Sequence, residues 1–164
     1  MTTSTVTTPT MTTPMQRLAE LGITLPMPAA PIANYVPFSM TGDLLIVSGQ
    51  LPLVDGKVSV TGKLGAGVSV EQGTAAARAS CINVIAQVRA ALGDLGRVRR
   101  VLRLGGFIAC AADFTQHALV MNGASDLAVA VFGDAGRHAR STIGVPSLPA
   151  DAAVEVEGMF LFGP

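Results

Sequence analysis

Apolar residues recur along this chain at two different spacings, and the change between them separates predicted strands from predicted helices. Two short apolar segments, residues 35–40 and 44–48, are joined by a turn in which Gly42 can take positive φ. A second turn, at Gly56, precedes another such segment over residues 57–61. This part of the pattern predicts three consecutive strands.

The central part of the chain changes to helical spacing. Between residues 70 and 95, apolar residues recur at the three- and four-residue intervals of a helix, which predicts a long helix with one apolar stripe. Ser69 and Gln72 have the spacing of a capping box, in which each side chain bonds the other residue's backbone N–H. Residues 98–110 are apolar without a helical period, so we expect a strand there.

The last third of the chain repeats this alternation. Asp113 and Gln116 predict a second capping box, for a helix over residues 114–132. The apolar segments 139–145 and 153–162 predict two final strands, and the element order is therefore βββαβαββ. Because helices and strands alternate only in the middle, we expect an α+β domain with one mixed sheet and both helices on one face. The other face is left to bind a partner.

The N-terminal end differs in composition from the rest. Residues 1–14 are rich in threonine and are predicted to form a disordered tail. Residues 15–31 predict a short helix followed by a proline-rich, extended lead-in, and residues 32–164 predict a single domain. The first residues lack the basic start and apolar middle of a secretory signal, so we expect a cytoplasmic protein.

Composition narrows the range of partners. Of 164 residues, 49% are hydrophobic, enough for one domain with a substantial core. The 11 basic and 11 acidic side chains cancel, so no overall field attracts nucleic acid or an anionic membrane. A mean hydropathy of +0.51, without an apolar run of about 18 residues, predicts no membrane span and favours a homo-oligomer. Cys81 and Cys110 are interpreted as buried free thiols.

Charged residues make up only 13% of the chain, so those within apolar segments stand out. Arg140 begins a predicted strand, where a guanidinium can anchor a carboxylate. Glu155 and Glu157 alternate with apolar residues on the last strand and therefore point to the same face. Two interpretations without a catalytic role stay open: the glutamates lie on a solvated face, or one of them forms a structural pair with Arg140. In a third, a carboxylate near the arginine orients water and relays a proton.

Other candidates lie where a ligand can approach. Tyr35 is the only tyrosine; it is either part of the packing or a hydrogen-bonding group for a substrate or water. Ser48 and Gly49 end the second strand, where glycine permits close approach to the backbone, although this pair is also common in ordinary turns. Asn122 and Gly123 lie within a helix, where glycine costs about 1 kcal/mol relative to alanine. Either a ligand or close helix packing needs the room.

A basic cluster and two histidines give weaker signals. The cluster is interpreted either as a phosphate-binding strip or as a solvated strand edge; it comprises Arg97, Arg99, Arg100 and Arg103. The lack of interleaved aromatic residues favours the edge, so no nucleic-acid partner is expected. His117 and His138 are too far apart in the chain to indicate a metal site.

Five segments, taken in order, resemble a known family. They are Asn34-Tyr35, Val47-Ser48-Gly49-Gln50-Leu51-Pro52, Ala139-Arg140-Ser141, Leu148-Pro149 and Val154-Glu155-Val156-Glu157. With the βββαβαββ order, they resemble the YjgF/Rid family of enamine/imine deaminases over residues 32–162. The segments around Asn122 and His138 resemble a less characterised branch of that family.

The resemblance implies a chorismate-mutase-like fold, assembled as a homotrimer with clefts between subunits and using no metal or organic cofactor. Arg140 matches the arginine that binds the carboxylate of a 2-imino or 2-enamino acid such as 2-aminoacrylate. Glu155 and Tyr35 match residues that position or activate water. Further positions matching the cleft are Ser48, Gly49, Asn122 and Thr142. The implied reaction hydrolyses the substrate to a 2-oxo acid and ammonia.

Two other functions stay open at this stage. The first is a non-catalytic trimer that binds a small carboxylate, which would need the same arginine. The second is a ribonuclease, and only the basic cluster supports it. Three positions also differ from the family pattern. Asn34 replaces a proline that is common in the family, His138 replaces a small residue or proline, and Thr142 replaces a cysteine. These differences predict a changed pocket shape.

Overall fold

A computed structural model describes residues 12–31 and 33–164 of the chain. Residues 1–11, which make up most of the predicted tail, lie outside this part. The described elements are α1 (Pro14–Glu20), β1 (Phe38–Thr41), β2 (Leu44–Gln50), β3 (Leu53–Val54), β4 (Lys57–Val58), β5 (Lys63–Leu64), β6 (Gly67–Val68), α2 (Val70–Leu92), β7 (Val98–Ala109), α3 (His117–Phe132), β8 (Ala139–Val145) and β9 (Val154–Phe162).

Five of the strands form one mixed sheet, in the order β1-β2-β9-β7-β8. β7 and β8 run parallel and are connected through α3, whereas the other neighbouring pairs are antiparallel. β8 is therefore an edge strand whose parallel partner lies on one side only. This arrangement decides where Arg140 and the two glutamates lie.

Both long helices cover the same face of the sheet. Gly106 of β7 lies against Met121 of α3, and its register partner on β9 is Val156. Val156 is also the partner of Gln50 on β2, whose side chain contacts Gln87 of α2. Since register partners share a face, α2 and α3 lie on one side. The predicted α+β domain, with a mixed sheet and two helices on one face, is confirmed.

The opposite face of the sheet carries exposed apolar groups. Ile46 on β2 and Ile143 on β8 point to this side and are 40% and 53% exposed. Met159 and Phe107, their register partners, are half-buried. Exposed apolar side chains on an uncovered sheet face are typical of a protein that associates with another surface.

The predicted third strand is wrong in length and in place. Only Lys57–Val58 is extended, and it pairs with β3 in a small hairpin outside the main sheet. Asp55 and Gly56 both take positive φ, 50° and 76°, which closes a two-residue turn and keeps the hairpin local. The Ser59 amide and hydroxyl then both donate to the carbonyl of Pro52, at the end of this hairpin.

The two predicted capping boxes have different outcomes. Ser69 and Gln72 form the reciprocal hydrogen bonds expected at the start of α2, and Gly93, with φ 76°, ends that helix. The second box is wrong, because α3 begins at His117 without a side-chain cap. The backbone from Ala111 to Phe114 forms a turn of its own, which delays the helix.

α3 is the most apolar of the helices. By length and composition alone, the segment His117–Gly136 would be long enough to cross a membrane, with a mean hydropathy of 1.2. Its buried residues pack against α2 and the sheet, which is how a core helix behaves.

The two cysteines differ in environment. Cys81 is buried in α2, and burial raises the pKa of its thiol to about 12. Cys110 follows β7 and is only half-buried, so the prediction of two buried thiols is wrong for Cys110. The strand ends beside a cavity rather than within the core.

Gly123 supports a stability prediction, because a Cβ at this position would collide with the backbone oxygen of Thr74 on α2. We expect Gly123→Ala to lower the free energy of unfolding by about 1–3 kcal/mol through overpacking, despite the better helix propensity of alanine. Urea unfolding measures the change. Ala130→Gly, on an exposed position of the same helix, is the control and should cost about 1 kcal/mol from propensity alone. A more stable Gly123→Ala protein would contradict close packing here.

Candidate functional site

Glu155 lies on the face of the sheet opposite the two helices. Side chains alternate along β9, so Val154 and Val156 are fully buried beneath the helices and Glu155 points the other way. Burial raises the pKa of the Glu155 carboxyl, and the negative charge of nearby Glu157 raises it further. Among the residues that the structure describes, no basic side chain forms a salt bridge with Glu155.

Glu157 has a different environment on the same face. Its carboxylate accepts a hydrogen bond from Arg103 at 3.0 Å, and both side chains are more than a third exposed. A Cβ at Gly105 would come 2.5 Å from the Glu157 carboxylate, so a larger residue there would force the Glu157 side chain to shift. Glu157 is therefore paired with Arg103, whereas burial and the repulsion from Glu157 together raise the pKa of Glu155.

Gly49 makes room for Glu155. The register of β2 against β9 shifts between Val47 and Gln50, and Gly49 lies within this irregularity. A Cβ on Gly49 would collide with the Glu155 carboxylate. The glycine that sequence analysis selected for close approach therefore contacts a side chain of the same chain.

Ser48 connects this region to the segment that carries Tyr35. The Ser48 hydroxyl donates a hydrogen bond to the carbonyl of Val36 at 2.8 Å, and the Ser48 amide bonds the carbonyl of Pro37. Tyr35 lies before β1 rather than within it, and its amide bonds the carbonyl of Ala33 in a tight turn. The predicted start of the first strand at residue 35 is thus three residues early.

Tyr35, Gly49 and Glu155 line one cavity of about 290 Å³. The rest of its lining is mainly apolar and comes largely from the lead-in segment and the loops, through Ala29, Ala30, Pro31, Ala33, Pro37, Leu51, Leu53 and Pro149. We name Tyr35, Ser48, Gly49 and Glu155 the acid half-site.

The lead-in segment forms part of this wall, which its proline-rich sequence did not predict. Gln87 of α2 is 1% exposed and donates a hydrogen bond to the carbonyl of Ala29 at 2.9 Å. The same amide lies 3.5 Å from Gln50, a further lining residue. A glutamine within the apolar stripe of a predicted helix was the available signal, because a buried amide needs partners.

Arg140 lies elsewhere, on the exposed edge strand β8. Its Nη1 donates to Oδ1 of Asn122 at 2.9 Å and to the Ser125 hydroxyl at 3.1 Å. Both partners are on α3, so Arg140 points toward the helices. The interpretation of Arg140 as a structural partner of Glu155 or Glu157 is therefore wrong within one chain.

A short chain of hydrogen bonds orients these partners. Nδ1 of His138 lies 2.6 Å from the carbonyl of Gly136, which can only accept, so Nδ1 carries the proton. Nε2 of His138 then accepts from the Ser125 hydroxyl, 3.0 Å away, and the hydroxyl oxygen is left to accept from Arg140. Polar contacts thus fix the guanidinium without neutralising its charge.

Thr142 follows Arg140 by two positions and shares its face. Its Oγ1 is buried and, within the described residues, has no hydrogen-bond partner. We name Arg140, Asn122 and Thr142 the arginine half-site.

The two half-sites do not meet within one chain. β7 lies between β9 and β8, so Glu155 and Arg140 are two strand spacings apart across the sheet, roughly 10 Å, and three residues apart along the strand direction, roughly a further 10 Å. Their side chains also point to opposite faces of the sheet. Arg140 is aligned with Leu104 of β7 and Glu155 with Phe107 of β7, and even- and odd-numbered residues of that strand face opposite sides. One chain therefore does not bring both half-sites to the same ligand.

The basic cluster does not form one strip. Arg97 donates to the carbonyls of Gly163 and Leu92 and lies 5.4 Å from the centre of the Phe162 ring. Arg103 pairs with Glu157 on the open face. Two of the four arginines thus have structural roles, which neither the phosphate-strip nor the solvated-edge interpretation predicted. Across residues 12–31 and 33–164, no three His, Cys, Asp or Glu side chains group closely enough to hold a metal ion.

Comparison with known proteins places these features in a family. The chain is 51% identical over 143 residues to protein TCP17 of Trypanosoma cruzi, with 87% of this chain and 89% of that protein aligned. It is also similar to the crystal structure of Atu1372 from Agrobacterium tumefaciens, a protein of unknown function. There the identity is 49%, the TM-score is 0.85, and 90% and 91% of the two chains are covered.

A third relative is a solved structure from Shewanella oneidensis, described as a "putative endoribonuclease". Its identity is 38% and its TM-score 0.89, with 92% of this chain and 99% of that chain covered. Residues 15–162 match the family described as "YjgF/chorismate mutase-like, putative endoribonuclease". The fold, the sequence match and the relatives agree, and this chain belongs to the YjgF family.

Proposed function

We propose that this protein hydrolyses small 2-imino and 2-enamino acids, of the 2-aminoacrylate type, to 2-oxo acids and ammonia. The observation that carries the proposal is the division of the candidate residues into two incomplete half-sites on one chain. The acid half-site has a carboxylate without a cation, and the arginine half-site has a cation without a carboxylate. Two copies of the chain would complete one cleft, as in the homotrimer that the family resemblance implies.

The geometry of the arginine half-site favours carboxylate binding. The guanidinium of Arg140 is held by two neutral acceptors, Asn122 and Ser125, so its full charge stays available. Its exposed position on an edge strand lets a neighbouring subunit reach it. A guanidinium presented in this way can bind a substrate carboxylate through two parallel hydrogen bonds.

The acid half-site supplies proton transfer. Glu155 and Tyr35 face a cavity where a water molecule can be positioned, and the raised pKa of Glu155 brings it closer to neutral pH. Water adds to the imine carbon as one of its protons passes through Glu155 to the nitrogen, which gives a carbinolamine. The hydroxyl group of this intermediate then loses its proton, which passes through Glu155 to the nitrogen as the C=O bond forms, the C–N bond breaks and ammonia leaves. An imine is already electrophilic, so orientation and proton transfer are sufficient without a cofactor.

The cavity beside Glu155 favours a substrate with a small apolar side chain. Alanine, proline and leucine residues form most of its wall, and no charged residue other than Glu155 lines it. At about 290 Å³, the space accommodates a short aliphatic group. The cytoplasmic location remains a prediction from the N-terminal composition, and it agrees with the proposed metabolic substrates.

The first prediction tests whether two subunits share the site. Arg140→Ala and Glu155→Gln should each lower ammonia release from freshly generated 2-aminoacrylate by about 100-fold or more. Co-expressed in equal amounts, they should recover about a quarter of the wild-type activity, because random trimers then contain some clefts with both residues intact. Each variant alone is the control.

Absence of recovery from well-folded mixed oligomers would contradict a shared site. A wild-type protein that binds 2-oxo acids through Arg140 but accelerates no imine hydrolysis would instead be a non-catalytic carboxylate-binding protein. Strongly salt-dependent RNA binding would support the ribonuclease alternative.

The second prediction concerns the pH dependence of the rate. Since Glu157 raises the pKa of Glu155, Glu157→Gln should lower that pKa and move the acidic limb of kcat/KM to lower pH. Arg103→Gln removes a positive charge from the same face and should move the limb to higher pH. Opposite shifts in pH–rate profiles identify Glu155 as the titrating group. If neither variant moves the limb, another group controls it.

The third prediction tests the apolar wall. Leu53→Ala removes part of the apolar wall that a leucine side chain would contact, and should therefore lower the preference for the imine of leucine over 2-aminoacrylate by about tenfold, measured as a ratio of kcat/KM values. Val54→Ala is the matched control, because Val54 is 51% exposed and does not line the cavity. Equal ratios in the two variants would exclude Leu53 from substrate contact.

A further inference from the structure

A second cavity, of about 750 Å³, lies at the end of β8 away from Arg140. Residues from three separate stretches of the chain line it, among them Lys63, Cys110, Phe114, His117 and Gly144. None of these residues belongs to either half-site. The cavity brings together a thiol, an imidazole and an amine, which the proposed deaminase reaction does not use.

The thiol and the imidazole are in contact. Sγ of Cys110 lies 3.5 Å from Nε2 of His117, within hydrogen-bonding distance for sulfur. The ring of Phe114 packs edge-on against the imidazole, with 5.2 Å between ring centroids and an interplanar angle of 75°. This packing limits the rotation of the imidazole and keeps Nε2 directed at the sulfur.

Gly144 keeps the space around this pair open. A Cβ at this position would come 2.6 Å from Nε2 of His117 and 2.7 Å from Sγ of Cys110. Any side chain at position 144 would therefore displace one member of the pair. The missing side chain also leaves the thiol accessible from the cavity.

Cys81 provides an internal reference for thiol reactivity. It is 1% exposed, and burial raises the pKa of its thiol to about 12, so it is chemically inert in the folded protein. Cys110 is half-buried and lines a cavity. The same chain thus holds one protected and one accessible thiol.

We propose that Cys110 and His117 form a second reactive site, at which the thiol attacks a small electrophile that carries a carboxylate. Nε2 of His117 takes the thiol proton as the sulfur bonds to the electrophilic carbon. With an aldehyde, the π electrons of the carbonyl move to its oxygen, which receives the proton from His117. The product is a hemithioacetal, and no oxidant or cofactor is consumed. Lys63 supplies the positive charge that attracts the carboxylate.

Alkylation of the full-length protein by iodoacetamide, followed by mass spectrometry, tests the pair. The sulfur–carbon bond forms as iodide leaves with the carbon–iodine electron pair. We expect Cys110 to react in the folded protein and Cys81 to react only after denaturation. His117→Gln should slow the reaction of Cys110 roughly tenfold or more. Gly144→Ala should slow it as well, because the added methyl group separates the pair.

His138→Gln is the control histidine variant and should leave the rate at Cys110 unchanged. Circular dichroism and the thermal unfolding midpoint show whether each variant folds, and Gly144→Ala tests the pair if His117→Gln is unstable. The proposal is overturned if Cys110 stays unlabelled in the folded wild-type protein. An unchanged rate in a folded His117→Gln or Gly144→Ala protein overturns it too.

The charge of the probe tests the role of Lys63. Iodoacetate carries a carboxylate and iodoacetamide does not, so their rate ratio at Cys110 reports attraction to an anion. Lys63→Gln should lower this ratio about threefold. Lys57→Gln, which changes the only other lysine, should leave the ratio as in the wild type. An equal ratio in both variants would overturn the preference for a carboxylate-bearing ligand.

Discussion

The alternation of side chains along β9 is the constraint on which the rest of this structure depends. Its even-numbered residues, such as Val154, Val156 and Phe160, are buried beneath two helices, so the odd-numbered ones face the other side. A shift of the register by one residue would bury two carboxylates in the core. The position of Glu155 is therefore enforced by the same packing that stabilises the domain.

Glycines on the neighbouring strands let this face hold two carboxylates close together. Gly49 lies under Glu155 and Gly105 under Glu157, and a Cβ at either would meet the carboxylate. The two glutamates then differ because Arg103 pairs with only one of them. The resulting difference in environment separates their chemistry, with Glu155 buried and unpaired among the described residues.

Arg140 lies on the other side of the sheet and is held there by neutral groups. Asn122 and Ser125 fix its direction through neutral oxygens, and His138 holds Ser125 in turn. The charge is thus preserved for an anion outside the chain. A buried strand lies between this cation and Glu155, so one subunit cannot bring both to one ligand. The exposed apolar side chains of the open face and the split site are the observations that support the proposed shared cleft.

The sequence by itself determined the family, the mixed sheet with both helices on one face, and the Ser69 cap. The family rests on the resemblance of five short motifs in order, and the sheet and the cap depend on local patterns, namely the period of apolar residues and the short-range hydrogen bonds of the backbone. Only the tertiary structure decided that Arg140 and Glu155 point to opposite faces, that a lead-in held by Gln87 forms the wall of the cavity, and that Cys110 contacts His117. Strand order, register and long-range hydrogen bonds within the chain join residues far apart in sequence, and no local pattern records such pairings.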